Sequence, residues 1–337
     1  MTDEKVIIFA RNALIQVMDA CPGERLLVIS DDIKNDIGEV FAHAGLEAGL
    51  YTRWISLETQ ENKSRIELPD SVVETIVGSK PNLAIDCLRG PAEETPFRIK
   101  LIHLVTKNKD VRLGHGPGIT LDMLTEGALA LSVEGYRRMK ESANRFMTAT
   151  EGASKLTMSA GNGTNVEMTI QGRGFFTDVE ITNQKWGNLP VGEVTIGPLE
   201  GSLNGHLVCD VAIGGIGPIA EPLTIKCENG KAIKLKCEDK KILSKVRETL
   251  GTDDMASMVG EMAIGLNPKA RIVQAFLETE KVLGTAHIAF GRNIDFPTGG
   301  RNNSANHMDF LVDKPTIFAL FPDGSERKLT SEGRILL

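Results

Sequence analysis

Two histidines and an aspartate in the C-terminal half of the chain have the residue types of a metal site. His307 and Asp309 are separated by one residue in RNNSANHMDFLV, so their side chains share one face of an extended strand. His287 lies among small and apolar residues in GTAHIAFGRN, where a charged imidazole is costly to bury. Imidazole nitrogen and carboxylate oxygen together are typical ligands of a borderline divalent ion.

Each of these histidines could also have a structural role without a metal ion. Taken alone, an H-x-D pair is more typical of a hydrogen-bonded histidine beside a surface aspartate. His287 could likewise be a core histidine that is bonded to the backbone. A second histidine in an apolar segment favours the metal interpretation, but these residues alone leave both alternatives open.

Four acids lie in segments that could supply further ligands. Glu261 lies within the apolar run ASMVGEMAIGLNP, where a carboxylate needs a partner such as a metal ion or an arginine. Glu193, in GNLPVGEVTIGP, lies between turn residues and a strand, and its local sequence is more typical of an exposed edge position. Glu278 and Glu280 occur in FLETEKVLG, which also has the composition of a solvated segment. Either of these two could reach a metal.

Several common motifs are missing from the sequence. It contains no HExxH, no GxSxG and no CxxC, which argues against a thermolysin-like zinc helix, a serine nucleophile elbow and thiolate zinc. VISDD stands where a glycine-rich phosphate loop would follow the first strand, so we do not expect the first half to bind a nucleotide. The GHGPG around His115 is more typical of a turn than of a ligand loop.

The elements of the first half predict an α/β domain over residues 1–150. Amphipathic helix-length segments alternate there with short β-rich runs, which is the pattern of βαβ units around a doubly wound parallel sheet. The predicted strands are residues 26–30, 51–56, 82–87 and 110–113, and the predicted helices are residues 4–18, 35–48, 69–78, 96–107 and 133–146.

Residues 151–337 are predicted to form a β-rich α+β domain that binds the metal and carries out catalysis. Short apolar runs such as VEMTI, HLVCDVAI and AIKLKC are separated by Asn-Gly, Gly-Asn and Gly-Gly turns. The pattern also predicts a helix over residues 240–251 that ends at a glycine, and strands near 258–264 and 285–290.

Four segments of the second half, taken in order, resemble the aminopeptidase T family of thermophilic metallopeptidases. That family has N-L-P-x-E-E-V-F-T-A-P, L-G-E-V-A-L, H-L-A-L-G and N-x-S-x-x-H-x-D in this order. The chain has NLPVGEVTIGP, MVGEMAIG, HIAFG and NNSANHMDF. The resemblance covers most of the chain in architecture. It implies an aminopeptidase-like hydrolase, a homodimer and an active-site cleft between the two halves.

The resemblance also implies a set of ligands. Carried over one residue at a time, the family's metal ligands fall on Glu193, Glu261, His287, His307 and Asp309. Two divalent ions, zinc, cobalt or manganese, would hold a water that attacks a peptide carbonyl. Glu261 or Asp309 would bridge the ions, Glu193 would be a ligand or the general base, and each histidine would hold one ion. Glu193 and Glu261 are thereby the candidate catalytic residues.

The chain departs from the family pattern at three places. The family's D-E-N-A motif corresponds to E-T-E-K-V-L-G-T-A, so Glu280 becomes a further metal ligand only with a shifted alignment. The tyrosine that follows H-L-A-L-G is replaced by Ile294, which removes a candidate phenol for transition-state stabilisation. The first of the two adjacent glutamates is Gly192.

Two other functions are consistent with these residues. The 2,5-dihydroxypyridine ring-opening dioxygenase resembles the same fold and uses two histidines and an aspartate around one ferrous ion, which leaves positions for oxygen and substrate. That branch lacks the carboxylate at the Glu261 position, and its presence here favours the two-metal hydrolase. The third alternative is a relative that binds metal without turnover.

The composition limits the partners of the chain. The sequence is 41% hydrophobic and 25% charged, with no apolar run of the length that a membrane span needs. A net charge of -7 without a basic cluster predicts no nucleic-acid partner. The five cysteines are widely spaced and the N-terminus lacks the basic start of a signal peptide, so we expect a cytoplasmic protein. The expected substrate is a short peptide or another small amide.

Overall fold

The computed structural model describes residues 4–60, 63–108, 110–182 and 186–337. The chain forms two units, of which the first contains Met1–Lys140, Asp178–Val191 and Pro268–Ala270. The second contains Glu141–Thr177, Gly192–Asn267 and Arg271–Leu337. The chain passes from one unit to the other more than once. Separate domains on either side of residue 150 therefore stay a prediction.

The elements are numbered in chain order. The α-helices are α1 (Glu4–Met18), α2 (Asn35–Glu47), α3 (Asp70–Ser79), α4 (Thr95–Val105), α5 (Leu121–Thr125), α6 (Val133–Thr150), α7 (Lys240–Leu250) and α8 (Phe276–Thr279). The strands are β1 (Arg25–Asp31), β2 (Tyr51–Leu57), β3 (Leu83–Cys87), β4 (Arg112–His115), β5 (Lys155–Ser159), β6 (Asn165–Thr169), β7 (Phe176–Thr177), β8 (Trp186–Asn188), β9 (Glu193–Ile196), β10 (Asn204–Cys209), β11 (Ala212–Ile213), β12 (Gly217–Pro218), β13 (Leu223–Glu228), β14 (Lys231–Lys236), β15 (Val259–Gly265), β16 (Thr285–Gly291), β17 (His307–Asp313), β18 (Thr316–Leu320), β19 (Glu326–Ser331) and β20 (Arg334–Ile335). Among the described residues, no helix has both the length and the apolar character that crossing a membrane requires.

The first unit is built on a parallel sheet with the strand order β2-β1-β3-β4-β8. All four of its strand pairings are parallel. β1 and β3 are buried almost throughout, which explains why their sequences are nearly continuous apolar runs. The predicted strands and helices of this half are confirmed to within a few residues. The fourth strand begins two residues later than predicted, after a turn in which the Val111 amide donates to the Asn108 carbonyl.

The second unit contains two antiparallel sheets, as its short alternating runs predict. One has eight strands in the order β14-β13-β10-β6-β5-β18-β19-β20, and the other has seven in the order β12-β11-β17-β16-β15-β9-β7. We call the seven-stranded sheet the site sheet. The helix predicted at residues 240–251 is α7, which Asp239 caps through the amides of Lys241 and Ile242 and which ends at Gly251.

The centre of the site sheet is buried on both faces. Every residue of β15 and β16 is buried, and so is most of β17. One face is apolar and consists of Met262, Ile264, Ile288, Phe290, Met308 and Phe310. On that face the rings of Phe290 and Phe310 pack edge to face with their centroids 5.7 Å apart. This packing holds the three central strands in a fixed register, and the other face is available for polar side chains.

Two buried asparagines fasten the loop that precedes β17 to the ends of β15 and β16. The side-chain amide of Asn302 donates to the carbonyl oxygens of Val259 and Gly291, at 2.8 and 3.0 Å. The side chain of Asn293 donates to the Gly260 carbonyl and accepts from the Asn302 amide, each at 2.9 Å. The loop is therefore held rigidly up to the start of β17.

We expect Asn302→Ala to lower the free energy of unfolding by about 1–3 kcal/mol, because it removes a buried donor from two backbone carbonyls. Urea denaturation measures this change. The control is Asn303→Ala at the exposed neighbouring position, which should change stability by less than about 0.5 kcal/mol. Equal effects of the two substitutions would contradict the fastening role of Asn302.

Candidate metal centre

The register of the site sheet brings the predicted ligands to one face. Glu261 on β15 pairs with Ala289 on β16, which in turn pairs with Asp309 on β17. Residues directly opposite each other in a sheet point to the same side, so Glu261 and Asp309 flank Ala289. His287 and His307 lie two residues before Ala289 and Asp309, and therefore share this face.

Glu193 reaches the same face from β9. It pairs with Gly265, four residues after Glu261 on β15. The sequence suggested an exposed edge position for Glu193, but β9 is an inner strand between β15 and β7, and Glu193 is buried. The positions between the ligands are occupied by small residues, namely Ala263, Gly265, Ala289 and Gly291. These small residues leave room above the sheet for polar side chains.

The carboxylate of Glu261 lies between two histidines. Its Oε1 is 3.7 Å from His287 Nε2, and its Oε2 is 3.0 Å from His307 Nε2. Asp309 Oδ1 lies 3.3 Å from His307 Nε2 and 3.8 Å from His287 Nε2. Glu193 Oε2 is 3.7 Å from His287 Nε2. We call these five residues the metal-site cluster.

The metal-site cluster contains two groups of three potential ligands. One is Glu193, Glu261 and His287, and the other is Glu261, His307 and Asp309; within each group the ligand atoms lie within 4.8 Å of one another. The distances from His287 Nε2 exceed those of ordinary hydrogen bonds, which are about 2.7–3.2 Å. Two atoms bound to one ion at about 2.0–2.2 Å lie roughly 3–3.5 Å apart. The separations from His307 Nε2, 3.0 and 3.3 Å, have this spacing, and those from His287 Nε2, 3.7 to 3.8 Å, are slightly wider, so a small contraction would place the ligands around a divalent ion.

Burial makes a cation necessary at this place. Glu193, Glu261 and Asp309 are only 9%, 6% and 8% exposed. Carboxylates this close repel one another, and water cannot solvate them, so burying them is costly without positive charge nearby. The donors are imidazole nitrogens and carboxylate oxygens, a combination that zinc, cobalt and manganese accept. The residues present fit a divalent metal centre.

The two histidines are oriented differently. His307 Nδ1 lies 2.8 Å from the carbonyl oxygen of Arg292, to which an Nδ1–H donates, so Nε2 is directed at the cluster. Nδ1 of His287 is buried and has no hydrogen-bond partner within the described part of the chain. A core histidine bonded to the backbone is therefore not what this structure contains at position 287, and Nε2 is the nitrogen that faces the three carboxylates.

The histidines and acids of the cluster shift one another's pKa values. Burial alone would raise the pKa of Glu261, but the adjacent imidazoles of His287, 3.7 Å away, and His307, 3.0 Å away, lower it well below its usual range. Burial alone would lower the pKa of His287, but the carboxylates of Glu261, Asp309 and Glu193 that face its Nε2 raise it to about 9. Asp309 and Glu261 likewise raise the pKa of His307 well above the ordinary value despite burial. Without a metal ion, the histidines therefore carry the positive charge that the acids require.

Glu280 lies close to the cluster, but neither group of three includes it. Burial raises its pKa, and the charge of Asp309 acts in the same direction. Its Oε1 is 2.9 Å from Lys281 Nζ. The assignment of Glu280 as a metal ligand stays a prediction. Glu278, the other acid of this segment, is engaged by Arg271, with Oε1 3.0 Å from Nε.

Lys281 is the residue of this site that the sequence did not indicate. Its side chain is fully buried, and its Nζ is 2.5 Å from Glu193 Oε1. The alternating charges of ETEK are typical of a solvated segment, and the partner Glu193 lies 88 residues earlier. The apolar residues after Lys281, VLG, were the only local signal of burial.

Two other residues singled out in the sequence lie outside the cluster. His115 belongs to the first unit, where its Nδ1 is 2.6 Å from Asp86 Oδ2, and the following residues form a turn in which the Ile119 amide donates to Gly116. Ile294, at the family's tyrosine position, is 44% exposed on the loop between β16 and β17.

A buried antiparallel sheet that presents carboxylates and imidazoles on one face has the donor set of a metal-binding protein. Residues 132–335, which include the whole metal-site cluster, match the family described as thermophilic metalloprotease (M29), and the chain belongs to this family. The family resemblance predicted from four sequence segments is confirmed. Membership implies a hydrolase that uses a divalent metal.

Two solved structures are similar to the chain over its full length. AmpT from Thermus thermophilus has a TM-score of 0.70 and 15% identity, with 100% of both chains covered. The 2,5-dihydroxypyridine dioxygenase from Pseudomonas putida KT2440 has a TM-score of 0.67 and 14% identity, with 100% of this chain and 98% of the other covered. At these identities the similarity establishes the fold, and it confirms the predicted fold class. No curated protein matches the chain in sequence.

The pKa shifts predict how the stability of the metal-free protein depends on pH. Because the pKa of His287 is raised to about 9, its protonated form stabilises the metal-free fold. This contribution is complete below the ordinary histidine pKa of about 6.5 and is lost as the pH rises through 9. We therefore expect the melting temperature of chelator-treated protein to fall between about pH 6.5 and 9.5.

Added zinc should have the opposite pH dependence, because the ion displaces protons from the histidines and binds more tightly as the pH rises. The zinc-induced rise in melting temperature should therefore be larger at about pH 8 than at about pH 6. The control is His287→Gln, in which the pH-dependent loss without metal should be smaller. A metal-free protein that gains stability over this pH range would contradict the assignment.

Proposed function

We propose that the chain is a metal-dependent exopeptidase that removes N-terminal residues from short peptides. The single observation that carries this proposal is the position of Glu261, whose buried carboxylate belongs to both groups of potential ligands. A carboxylate shared in this way is what a pair of neighbouring divalent ions requires. Membership of a metalloprotease family makes a peptide bond the expected target.

When bound, two such ions lower the pKa of a water between them and neutralise the charge that develops on the substrate carbonyl oxygen. In this chain Glu261 would bridge the two groups, with one oxygen toward each histidine. His287 and Glu193 would complete one group, and His307 and Asp309 the other. Because Glu193 has an oxygen on the cluster side, it is also the candidate general base.

The exposure of the cluster is uneven and suggests where the substrate enters. The side chain of His307 is 34% exposed, whereas that of His287 is 2% exposed. A peptide can therefore approach the group of His307 and Asp309 more easily than the group of His287. We propose that the scissile carbonyl is bound on the His307 side and that His287 acts as a buried ligand only.

A second candidate function is ring cleavage by a mononuclear iron site. Two observations favour it: the dihydroxypyridine dioxygenase shares the fold over the whole chain, and His287, His307 and Asp309 supply two imidazoles and one carboxylate. The presence of Glu261 between the histidines favours the hydrolase. Location in the cytoplasm and assembly as a homodimer stay predictions from the sequence.

Metal content per chain and turnover of a peptide panel test the proposal. The protein is purified without chelator, and its zinc, cobalt, manganese and iron are measured by elemental analysis. We expect hydrolysis of unblocked peptides and no hydrolysis of the same peptides with an acetylated N-terminus. Oxygen consumption with one iron per chain would support the second candidate instead. Bound metal without turnover of any substrate would support the third alternative, a relative of the family that binds metal but is not catalytic.

We predict that His307→Ala lowers kcat/KM for the best peptide by more than about 100-fold and reduces the metal content, because it removes a direct ligand. Elemental analysis and steady-state kinetics are measured on the same preparation. The matched control is His206→Ala, an exposed histidine on β10 of the eight-stranded sheet, which should retain both. Full metal content and full turnover in His307→Ala would show that the site assignment is wrong.

A further inference from the structure

Lys281 places a positive charge inside the protein beside the metal-site cluster. Its side chain is 0% exposed, and its Nζ lies 2.5 Å from Glu193 Oε1 and 2.9 Å from Glu280 Oε1. Because its side chain is shielded from bulk solvent, the ammonium is stabilised by the charges of these carboxylates. Lys281 cannot touch a substrate directly, so any effect on the site must act through the acids.

The backbone fixes Lys281 at this place. The Asn267 amide donates to the Lys281 carbonyl oxygen at 2.9 Å, and the Leu283 amide donates to the Asn267 carbonyl at 3.1 Å. These bonds hold the segment after α8 along the end of β15. A Cβ at Gly265 would come within 2.1 Å of the Val282 carbonyl oxygen, so this close approach requires a glycine. The ammonium is therefore positioned by rigid elements.

The ammonium affects the two ligand groups unequally. Glu193 belongs to the group of Glu261 and His287 and is absent from the group of Glu261, His307 and Asp309. One oxygen of Glu193 contacts Lys281, and the other faces His287. An ion in the first group would therefore share a carboxylate with an existing cation, at a distance where like charges in a buried site repel strongly.

We propose that Lys281 is a built-in cation that makes the two metal positions unequal. The position formed by Glu261, His307 and Asp309 binds its ion tightly, and the position formed by Glu193, Glu261 and His287 binds its ion at least about 100-fold more weakly. This inference rests on the proposed metal centre. At limiting metal, the chain should therefore hold one divalent ion in the position of Glu261, His307 and Asp309. The Lys281 ammonium then stays beside Glu193, where the second ion would otherwise bind.

Isothermal titration of the chelator-treated full chain with Zn²⁺ tests the inference. The wild-type chain should bind one ion tightly and a second one at least about 100-fold more weakly. Lys281→Met removes the charge but keeps the length of the side chain. In this variant the second ion should bind at least about tenfold more tightly than in the wild type, while the first ion changes little.

Two charge controls accompany this variant. Lys281→Arg retains the positive charge, so its second ion should stay weak. Lys314→Met changes a surface lysine that is 73% exposed and should leave both affinities as in the wild type. If Lys281→Met does not fold by circular dichroism, Lys281→Gln is titrated instead, because its amide can still donate to both carboxylates.

Two results would overturn this inference alone. Equal affinities for two ions in the wild type would exclude an unequal pair. Loss of the second ion in Lys281→Met would mean that the lysine organises Glu193 for the metal instead of competing with it. Both results leave the proposed peptidase function intact. A wild-type chain that binds no divalent ion would overturn the metal centre itself and, with it, this inference.

Discussion

The second unit depends on how it compensates a set of buried carboxylates. Glu193, Glu261 and Asp309 share one face of a sheet whose other face is apolar across β15, β16 and β17, and Glu280 lies beside them. Where water is excluded, such charges are tolerated only with cations at ligand or hydrogen-bonding distance. The two histidines of the cluster, the Lys281 ammonium and the proposed ions are these cations. Because the buried acids require these cations, the folding of the sheet and the binding of metal depend on the same residues.

The glycines of the site sheet allow the cations to reach the acids. A Cβ at Gly291, whose φ is 110°, would come within 2.1 Å of the Asn306 carbonyl oxygen, directly before His307. Gly265 permits the corresponding approach of the segment that carries Lys281. Both glycines also lie on the face of the ligands, where a larger side chain would occupy the space of the cluster. Glycine at these two positions therefore allows the close backbone contacts and also leaves space for the metal-site cluster.

The sequence predicted the parts of the site that depend on local pattern. The H-x-D spacing places His307 and Asp309 on one face of a strand, because strand periodicity determines which side chains emerge together, and the apolar surroundings of His287 and Glu261 predict buried strands. By contrast, β9 is an inner strand only because β7 pairs with it, and Lys281 meets Glu193 only through the tertiary fold. Such long-range contacts leave no periodic signal, so an exposed edge and a solvated ETEK segment were the natural expectations. The amino-acid composition also did not indicate that the chain passes back and forth between the two units.

The charge of the cluster distinguishes the candidate reactions better than the fold does. A ferrous site of two histidines and one carboxylate keeps positive charge for oxygen and substrate. Here Glu193 and Glu261 add two carboxylates to Asp309, so the three acids exceed the charge of one divalent ion. The Lys281 ammonium beside Glu193 supplies the remaining positive charge, so one ion together with Lys281 would balance these three acids. In the proposed hydrolase, a second ion would therefore add positive charge that the buried acids do not require, and a metal-bound hydroxide would offset part of it, so this ion would serve water activation more than folding.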